Sequence, residues 1–192
     1  ILSRVDTSRR ATQALVLTPT RELAIQVAEA IHTYGRHLEG LHVLPIYGGQ
    51  HIGAQLRPLQ RGVHIVVGTP GRIIDHLDRR TLNLDEIQTV VLDEADEMLR
   101  MGFIDDVNRI LDQMPEAKQV ALFSATMPPE VRRIADKHLD NAEIIKIKTK
   151  TATVATVEQR YLIAPWKQKL DAMTRILETA DFNAMLVFVR TK

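Results

Sequence analysis

The chain has 192 residues, 45% of them hydrophobic and 26% charged, and its 25 basic and 24 acidic residues leave a formal net charge of +1. This ordinary globular composition contains no cysteine, which excludes disulfides, thiolate catalysis and cysteine-ligated zinc and is compatible with a cytoplasmic location. No apolar run approaches the roughly 20 residues of a membrane-spanning helix, and the near-neutral charge restricts any nucleic-acid binding to a few local phosphate contacts.

Short apolar runs alternate with amphipathic segments along most of the chain. The apolar runs predict six strands, at residues 14–18, 42–47, 64–68, 89–93, 119–124 and 143–147. Apolar residues at helical spacing predict a helix after the first, third, fourth and fifth strands, as with Leu23, Val27 and Ile31 after the first. Strands separated by helices predict an α/β fold with a mostly parallel sheet and helices on both faces.

The pattern changes near residue 149. Residues 149–156 (TKTATVAT) lack helical periodicity and large apolar side chains, and they are interpreted as a linker. Beyond them the sequence predicts a strand at 157–164, a helix at 170–177 and a strand at 185–189, which are too few elements to bury a core of their own. We therefore predict a first domain at 1–148 and the beginning of a second domain at 157–192.

Polar residues cluster directly after five of the predicted strands. The clusters are Pro19-Thr20-Arg21, Gly48-Gly49, Thr69-Pro70-Gly71-Arg72, Asp93-Glu94 and Ser124-Ala125-Thr126. In open parallel sheets, ligands bind at the carboxyl ends of the strands. The five clusters are therefore predicted to form one functional rim.

Asp93 and Glu94 end the fourth predicted strand as adjacent carboxylates. An aspartate in such a place can hold Mg²⁺ that bridges nucleotide phosphates, and a neighbouring glutamate can orient a water and take its proton. The alternative is a pair of solvated acids at the start of the following helix, where the helix dipole favours negative charge.

The hydroxyls of Ser124 and Thr126 follow the fifth predicted strand. They are placed to hydrogen-bond the acidic cluster and so to report its nucleotide state. The alternative is that one of them caps the next helix, which Pro128 and Pro129 favour.

Two strand-to-helix turns carry a proline together with an arginine, at 19–21 and 69–72. Backbone N–H groups at a helix start attract phosphate, an arginine adds a charge-assisted bond, and Gly48-Gly49 permits close approach of the backbone. The alternative is two ordinary capped helices with an exposed arginine and a glycine turn. Two such turns on one rim favour a track for a nucleic-acid backbone, which positions a strand without reading its bases.

The seven histidines lack the spacing of a zinc-binding helix. All of them, His76 included, are interpreted as surface or packing residues.

In chain order, the segments at 19–24 (PTRELA), 48–49 (GG), 69–72 (TPGR), 93–96 (DEAD), 124–126 (SAT) and 187–192 (VFVRTK) resemble the motifs of the DEAD-box ATP-dependent RNA helicases of superfamily 2. The resemblance covers residues 14–192, and the run at 93–103 (DEADEMLRMGF) is most similar to bacterial cold-shock-type members. It implies two RecA-like domains, ATP and Mg²⁺ as cofactors, and RNA as the partner.

The resemblance also implies roles for individual residues. Asp93 would coordinate Mg²⁺, Glu94 would be the catalytic base, and Asp96 with Ser124 and Thr126 would couple ATP hydrolysis to strand separation. The residues that would hold RNA phosphates and riboses are Pro19, Thr20, Arg21, Gly49, Thr69, Gly71, Arg72, Arg190 and Thr191.

The sequence departs from the family because it contains no G-x-x-x-x-G-K-[ST] phosphate-binding loop, no adenine-reading Q motif and no motifs V and VI. We therefore interpret the chain as a truncated part of a helicase and expect it to be inactive by itself. The competing functions are an RNA clamp whose parent never turns over ATP and a related motor acting on DNA, since only contacts to the 2′-hydroxyl distinguish the two nucleic acids.

Overall fold

The chain divides into two compact units, Ile1–Ile144 and Ile145–Lys192, and the first is built on a five-stranded parallel sheet. The computed structural model describes residues 1–147, 158 and 160–189. The strands are β1 (Ala14–Leu17), β2 (Val43–Ile46), β3 (Ile65–Gly68), β4 (Thr89–Leu92) and β5 (Gln119–Leu122). Their spatial order is β2-β3-β1-β4-β5.

Six helices complete the first unit. They are α1 (Arg21–Tyr34), α2 (Gly53–Arg61), α3 (Pro70–Asp78), α4 (Ala95–Arg100), α5 (Ile104–Leu111) and α6 (Pro129–His138). Each parallel pair of strands requires a crossover, and the helices α1 to α5 lie in the crossovers between β1 and β5, whereas α6 follows β5.

The central strands β1, β3 and β4 are buried on both faces, as their apolar residues require. Alternate residues of β1 enter two separate clusters, with Ala14 and Val16 on one face and Leu15 and Leu17 on the other. The first face packs on α1 through Ala24, whose small side chain permits close approach, and the second face carries the larger core with α3, α5 and α6. Both layers hold the carboxyl ends of the strands in a fixed frame.

The predicted α/β fold with a mostly parallel sheet is confirmed, and five of the six predicted strands of this unit are present within two residues of the predicted ends. The helices α2 and α4 were not predicted. The segment that forms α2, GAQLRPLQR, contains Pro58 and has only two large apolar residues, Leu56 and Leu59, so its helical pattern is too weak to predict a helix. The helix α4 has six residues, which is too short for that periodicity to be seen.

Three predicted strands are wrong, because the described residues of 143–147, 157–164 and 185–189 form no strand. Val157 and Gln159 of the second segment lie outside the described residues. A strand is stable only when neighbours pair with it, and β5 is the last strand of the sheet among the described residues. Ile144, Ile145 and Ile147 are instead 82–88% exposed. Apolar content alone therefore overstated the number of strands.

The second unit contains a 3₁₀ turn at Trp166–Gln168 and the helix α7 (Lys169–Thr179), which the sequence predicted. The Lys169 ammonium group lies 4.5 Å from the centre of the Trp166 ring and joins the turn to the helix. The predicted linker at 149–156 lies outside the described residues, so the predicted domain boundary stays a prediction. None of the described helices combines the length and the apolar composition needed to cross a bilayer.

Candidate functional site

The carboxyl ends of all five strands lie in one row. In the sheet register Ile46 is opposite Gly68, Gly68 is opposite Leu17, Leu17 is opposite Leu92, and Leu92 is opposite Leu122. Backbone bonds of 2.8–3.0 Å continue the ladder one residue further, at Thr18, Thr69, Asp93 and Phe123. The turns that carry the polar clusters therefore start at the same level, and they form the predicted rim.

The order of the strands divides this rim into two parts. The turns after β2, β3 and β1 carry the glycines and the arginines, and we call them the basic half of the rim (residues 47–52, 69–72 and 18–21). The turns after β4 and β5 carry the carboxylates and hydroxyls, and we call them the acidic half (residues 93–96 and 123–126). The halves meet where β1 lies beside β4, about 4.8 Å away as in any sheet.

Glu94 is held in an unusual backbone conformation at the start of α4. Its φ and ψ are 53° and 51°, which is the left-handed region that side chains other than glycine avoid at a cost of about 1–2 kcal/mol. The backbone is held there because the N–H of the following Ala95 donates to the Phe123 carbonyl at 3.1 Å. The Glu94 side chain is exposed, and Asp93 before it is half-buried.

Asp96 is tied to the turn after β5. Its Oδ2 accepts bonds from the Thr126 hydroxyl at 2.6 Å and from the Thr126 N–H at 2.9 Å. Ser124 Oγ accepts the Asp96 N–H at 3.2 Å and donates to the Thr126 carbonyl at 2.6 Å. The Thr126 hydroxyl, followed by Ser124, holds the pKa of Asp96 at about 2. Since α6 begins at Pro129 with Pro128 as its N-cap, neither hydroxyl caps that helix.

A cleft of about 500 Å³ opens between the two turns of the acidic half. Asp93, Glu94, Asp96 and Glu97 line it with one arginine, Arg100, and with the turn after β5. Mg²⁺ is commonly bound by one or two carboxylates together with substrate phosphates and waters. The described residues contain no group of three or more acidic, histidine or cysteine ligands for a metal, so the donors present fit a phosphate-assisted Mg²⁺ at Asp93 and not a metal held by protein alone.

In the basic half, the helices α1 and α3 start differently. Thr20 caps α1, because its Oγ1 accepts the Leu23 N–H at 3.2 Å. Thr69 occupies the same position before α3 but makes no side-chain capping bond within the described part of the chain. The first N–H groups of a helix have no partner inside the helix, so those of α3 are left for solvent or an anion. A side chain added at Gly71 in this turn would meet nothing within 4 Å, so the approach is open.

Arg21 connects the first turn to the loop after β2. Its guanidinium carbon lies 5.0 Å from the centre of the Tyr47 ring, which is a cation–π distance. Gly49 in that loop has a φ of +79°, a conformation that glycine adopts without strain. Pro19 is buried beneath the same turn and is not exposed to a ligand.

Arg72 is not the exposed arginine of the alternative interpretation. Its side chain is only 15% exposed, and its Nη1 donates to the Gln50 carbonyl at 3.0 Å and to Gln55 Oε1 at 3.3 Å. Asp75 lies 3.7 Å from its Nε. Arg72 thus joins the start of α3 to the loop after β2.

The structure brings the predicted residues of the first unit to one rim, and Arg190 and Thr191 lie outside the described residues. Sequence reasoning missed Tyr47, Gln50 and Gln55, which contact the two arginines. His76, interpreted as a surface or packing residue, is fully buried, as a packing residue is, but its hydrogen bonds at both ring nitrogens were not predicted. No spacing pattern marks these residues, because their partners come from other turns.

The family model of the DEAD/DEAH box helicases matches residues 1–134. The chain is 56% identical over 192 residues to the ATP-dependent RNA helicase DeaD of Mycobacterium tuberculosis, which covers all of this chain and 34% of that protein. It is 50% identical to the DEAD-box ATP-dependent RNA helicase CshA of Bacillus cereus, covering 36% of that protein. The crystal structure of a DEAD box protein from the hyperthermophile Methanococcus jannaschii matches with a TM-score of 0.73 and 43% identity, over 93% of this chain and 47% of that chain. The chain thus spans about a third of the length of the curated relatives it matches.

Proposed function

The chain belongs to the DEAD/DEAH box helicase family, and we propose that it is the part of an ATP-dependent RNA helicase that holds RNA and couples this binding to ATP hydrolysis. The relatives named above are ATP-dependent RNA helicases, which supports RNA as the partner and ATP as the substrate. The observation that carries the proposal is the level row of strand ends, because it puts a carboxylate cleft beside two helix starts.

The acidic half is proposed as the nucleotide side. Asp93 would hold Mg²⁺, which would supply positive charge toward the nucleotide phosphates. Glu94 would orient the attacking water and accept its proton. The left-handed backbone at Glu94 supports this role, because strained residues of this kind are concentrated at active sites.

Asp96, Ser124 and Thr126 are proposed as the coupling between the two halves. Their bonds join α4, which begins at the carboxylates, to the turn after β5. A change at the nucleotide that moves α4 would therefore also move this turn. Local unwinding of an RNA duplex is the activity that such coupling would serve, in a cytoplasmic protein.

The basic half is proposed as the RNA side. The start of α3, with Gly71 open to approach, would bind a phosphate through backbone N–H groups, and Arg21 and Arg72 would add charge. Thr20, Gly49 and Thr69 belong to the same turns and would line the track. Pro19 would act by shaping its turn, since it is buried. Arg190 and Thr191 are kept as proposed RNA contacts of the second unit.

The proposal is tested by measuring ATP hydrolysis of the full-length gene product with and without single-stranded RNA. We expect RNA to stimulate turnover and Glu94→Gln to lower it at least about a hundredfold, as loss of a general base does, without weakening RNA binding. Glu116→Gln is the matched control, because Glu116 is exposed before β5 at the opposite end of the sheet. RNA binding without any turnover in the unsubstituted protein would sink the helicase proposal and favour the RNA clamp.

Substrate choice needs a second arm of the same experiment. RNA and DNA oligonucleotides of the same sequence are compared as stimulators of turnover. Stimulation by DNA equal to that by RNA would favour the related motor on DNA, since the phosphate contacts described above serve both nucleic acids.

A further inference from the structure

Gln55 is a buried amide whose hydrogen-bonding capacity is fully used. Its side chain lies in α2 and is 1% exposed. The amide nitrogen donates to the Tyr47 carbonyl and to Gln50 Oε1, both at 3.0 Å. Its Oε1 accepts from Arg72 Nη1 at 3.3 Å and contacts His76 Nε2 at 2.9 Å. Three of these four partners, all except His76, belong to the basic half of the rim.

The chemistry of the partners fixes the direction of the four bonds that Gln55 makes. The Tyr47 carbonyl only accepts, so the amide nitrogen of Gln55 faces it and Oε1 faces Arg72. Because Oε1 only accepts, His76 Nε2 must carry the ring hydrogen. The Nδ1 of the neutral ring carries no hydrogen and can only accept, and the Thr81 hydroxyl 2.8 Å away shares its single hydrogen between this nitrogen and the His76 carbonyl at 3.1 Å. Burial, together with the nearby Arg72 charge, lowers the pKa of His76 and favours this neutral form.

Neither buried side chain can reach an RNA strand. Gln55 and His76 are 1% and 0% exposed, and they lie under Arg72 and the loop at 47–52. Their effect on a ligand must therefore pass through those groups. Arg72 has two acceptors on one nitrogen, Gln55 Oε1 and the Gln50 carbonyl, which orient the guanidinium plane.

We infer that Gln55 and His76 are positioning residues for RNA binding: Gln55, held by His76, fixes the Arg72 guanidinium and the loop at 47–52 in the geometry that receives the RNA backbone. The inference rests on the proposed function, since it names what sets the proposed RNA side of the rim. Gln55 and His76 lie outside the motif segments of the sequence, and the family resemblance assigned no role to either residue.

The experiment separates the two nitrogens of His76 in the full-length gene product. In His76→Gln the amide nitrogen reaches the place of Nε2 and still donates to Gln55, whereas in His76→Asn the shorter amide reaches only the Thr81 side. Gln55→Met keeps the length of the side chain but removes all four bonds. Arg72→Met marks the effect of losing the guanidinium and its charge.

Two readouts distinguish positioning from general stability. The first is backbone hydrogen exchange of residues 47–52 without RNA, which we expect to rise in Gln55→Met and His76→Asn and to stay near the original rate in His76→Gln. The second is the slope of log Kd against log salt for a short oligouridylate, which falls by about 0.7 for each lost phosphate contact on a single strand. We expect this fall in Arg72→Met, Gln55→Met and His76→Asn, with affinity about tenfold weaker, and no further fall when Arg72→Met is combined with His76→Asn.

The outcomes separate this inference from the proposed function. Binding of oligouridylate by the unsubstituted protein, with a salt slope unchanged in Gln55→Met and His76→Asn, would overturn the inference and leave the proposed function intact. A lowered melting temperature with unchanged slope and unchanged exchange at 47–52 would also overturn it, because that is the result of a purely structural role. Absence of oligouridylate binding in the unsubstituted protein would overturn the proposed function, and the exchange measurement would then still decide whether the network fixes the loop.

Discussion

Asp96 differs from the neighbouring acids in that its carboxylate is buried and bonded. Because its folded pKa of about 2 lies below the ordinary value of 3.8, its ionised form stabilises the fold above pH 3.8, and this contribution is lost as the pH falls toward 2. We predict that Thr126→Val, which removes the hydroxyl donor at 2.6 Å, lowers the free energy of unfolding at neutral pH by about 1.5–3 kcal/mol. It should also raise the pKa of Asp96.

Urea unfolding at neutral pH and a carbon NMR titration of the Asp96 carboxyl measure the two effects. Thr126→Ser is the matched control, since it keeps the hydroxyl and should keep both values. An Asp96 pKa that stays near 2 in Thr126→Val would show that the Thr126 N–H and Ser124 suffice. The comparison is made between variants because other carboxylates, among them Asp6 and Asp112, also have lowered pKa values.

At this scale, the sequence predicted the residues whose chemistry is visible in a short segment. Asp93 and Glu94 follow β4 as paired carboxylates, and Ser124 and Thr126 lie in the turn after β5. Gln55 could not be predicted, because its partners at Tyr47 and Arg72 are adjacent only after β2 and β3 pair. Residues that act through tertiary hydrogen bonds leave no local pattern.

At the scale of the element, α3 and α4 end in the same motif with different residues. After α3 the Arg80 N–H donates to the Leu77 carbonyl and the Thr81 N–H to the His76 carbonyl, and after α4 Gly102 and Phe103 repeat these bonds. The residue in the left-handed conformation is Arg80 (φ 54°) in the first case and Gly102 (φ 80°) in the second. This is the Schellman motif, which favours glycine at that position.

We predict that Arg80→Gly stabilises the protein and Gly102→Ala destabilises it. Glycine in place of Arg80 relieves the strain of the left-handed conformation, which is about 1–2 kcal/mol. Glycine also gives the unfolded chain more conformational entropy, which offsets part of this gain, so we expect a net increase in stability of up to about 1 kcal/mol. Alanine at Gly102 introduces the same strain, for a loss of about 1 kcal/mol. The free energies of unfolding in urea measure both changes. If Arg80→Gly lowers stability, contacts of the Arg80 side chain outweigh the strain.

The same contrast explains which elements the sequence predicted. The helices α1, α3, α5 and α6 have apolar residues at helical spacing that pack on the sheet, so their pattern reports their packing. The helix α2 packs on the core through the partly buried Leu59, but its one fully buried residue is the polar Gln55. Gln55 is buried because of its hydrogen bonds, and a hydrogen-bonded side chain does not appear in the apolar pattern of the sequence. The segment at 143–147 has the composition of a strand but no neighbour to pair with among the described residues.

At the scale of the whole molecule, the net charge of +1 conceals a separation of charge along the rim. The row of strand ends places Arg21 and Arg72 on one side and four carboxylates around the cleft on the other. Composition averages over both halves, and therefore gave no sign of the nucleic-acid partner that we propose. The order of the strands, which no single motif contains, creates the separation.

This separation leads to a prediction for the 192-residue chain by itself. A cleft lined by four carboxylates and one arginine repels a triphosphate, and the sequence contains no G-x-x-x-x-G-K-[ST] loop whose N–H groups and lysine would offset that repulsion. We expect the purified 192-residue chain and its Glu94→Gln variant to hydrolyse ATP at the same background rate, with or without RNA. A phosphate-release assay with Mg²⁺ present measures both rates. The full-length gene product, measured beside it, is expected to turn over ATP. RNA-stimulated turnover by the 192 residues that Glu94→Gln abolishes would contradict the prediction and would mean that the acidic half binds phosphates without such a loop.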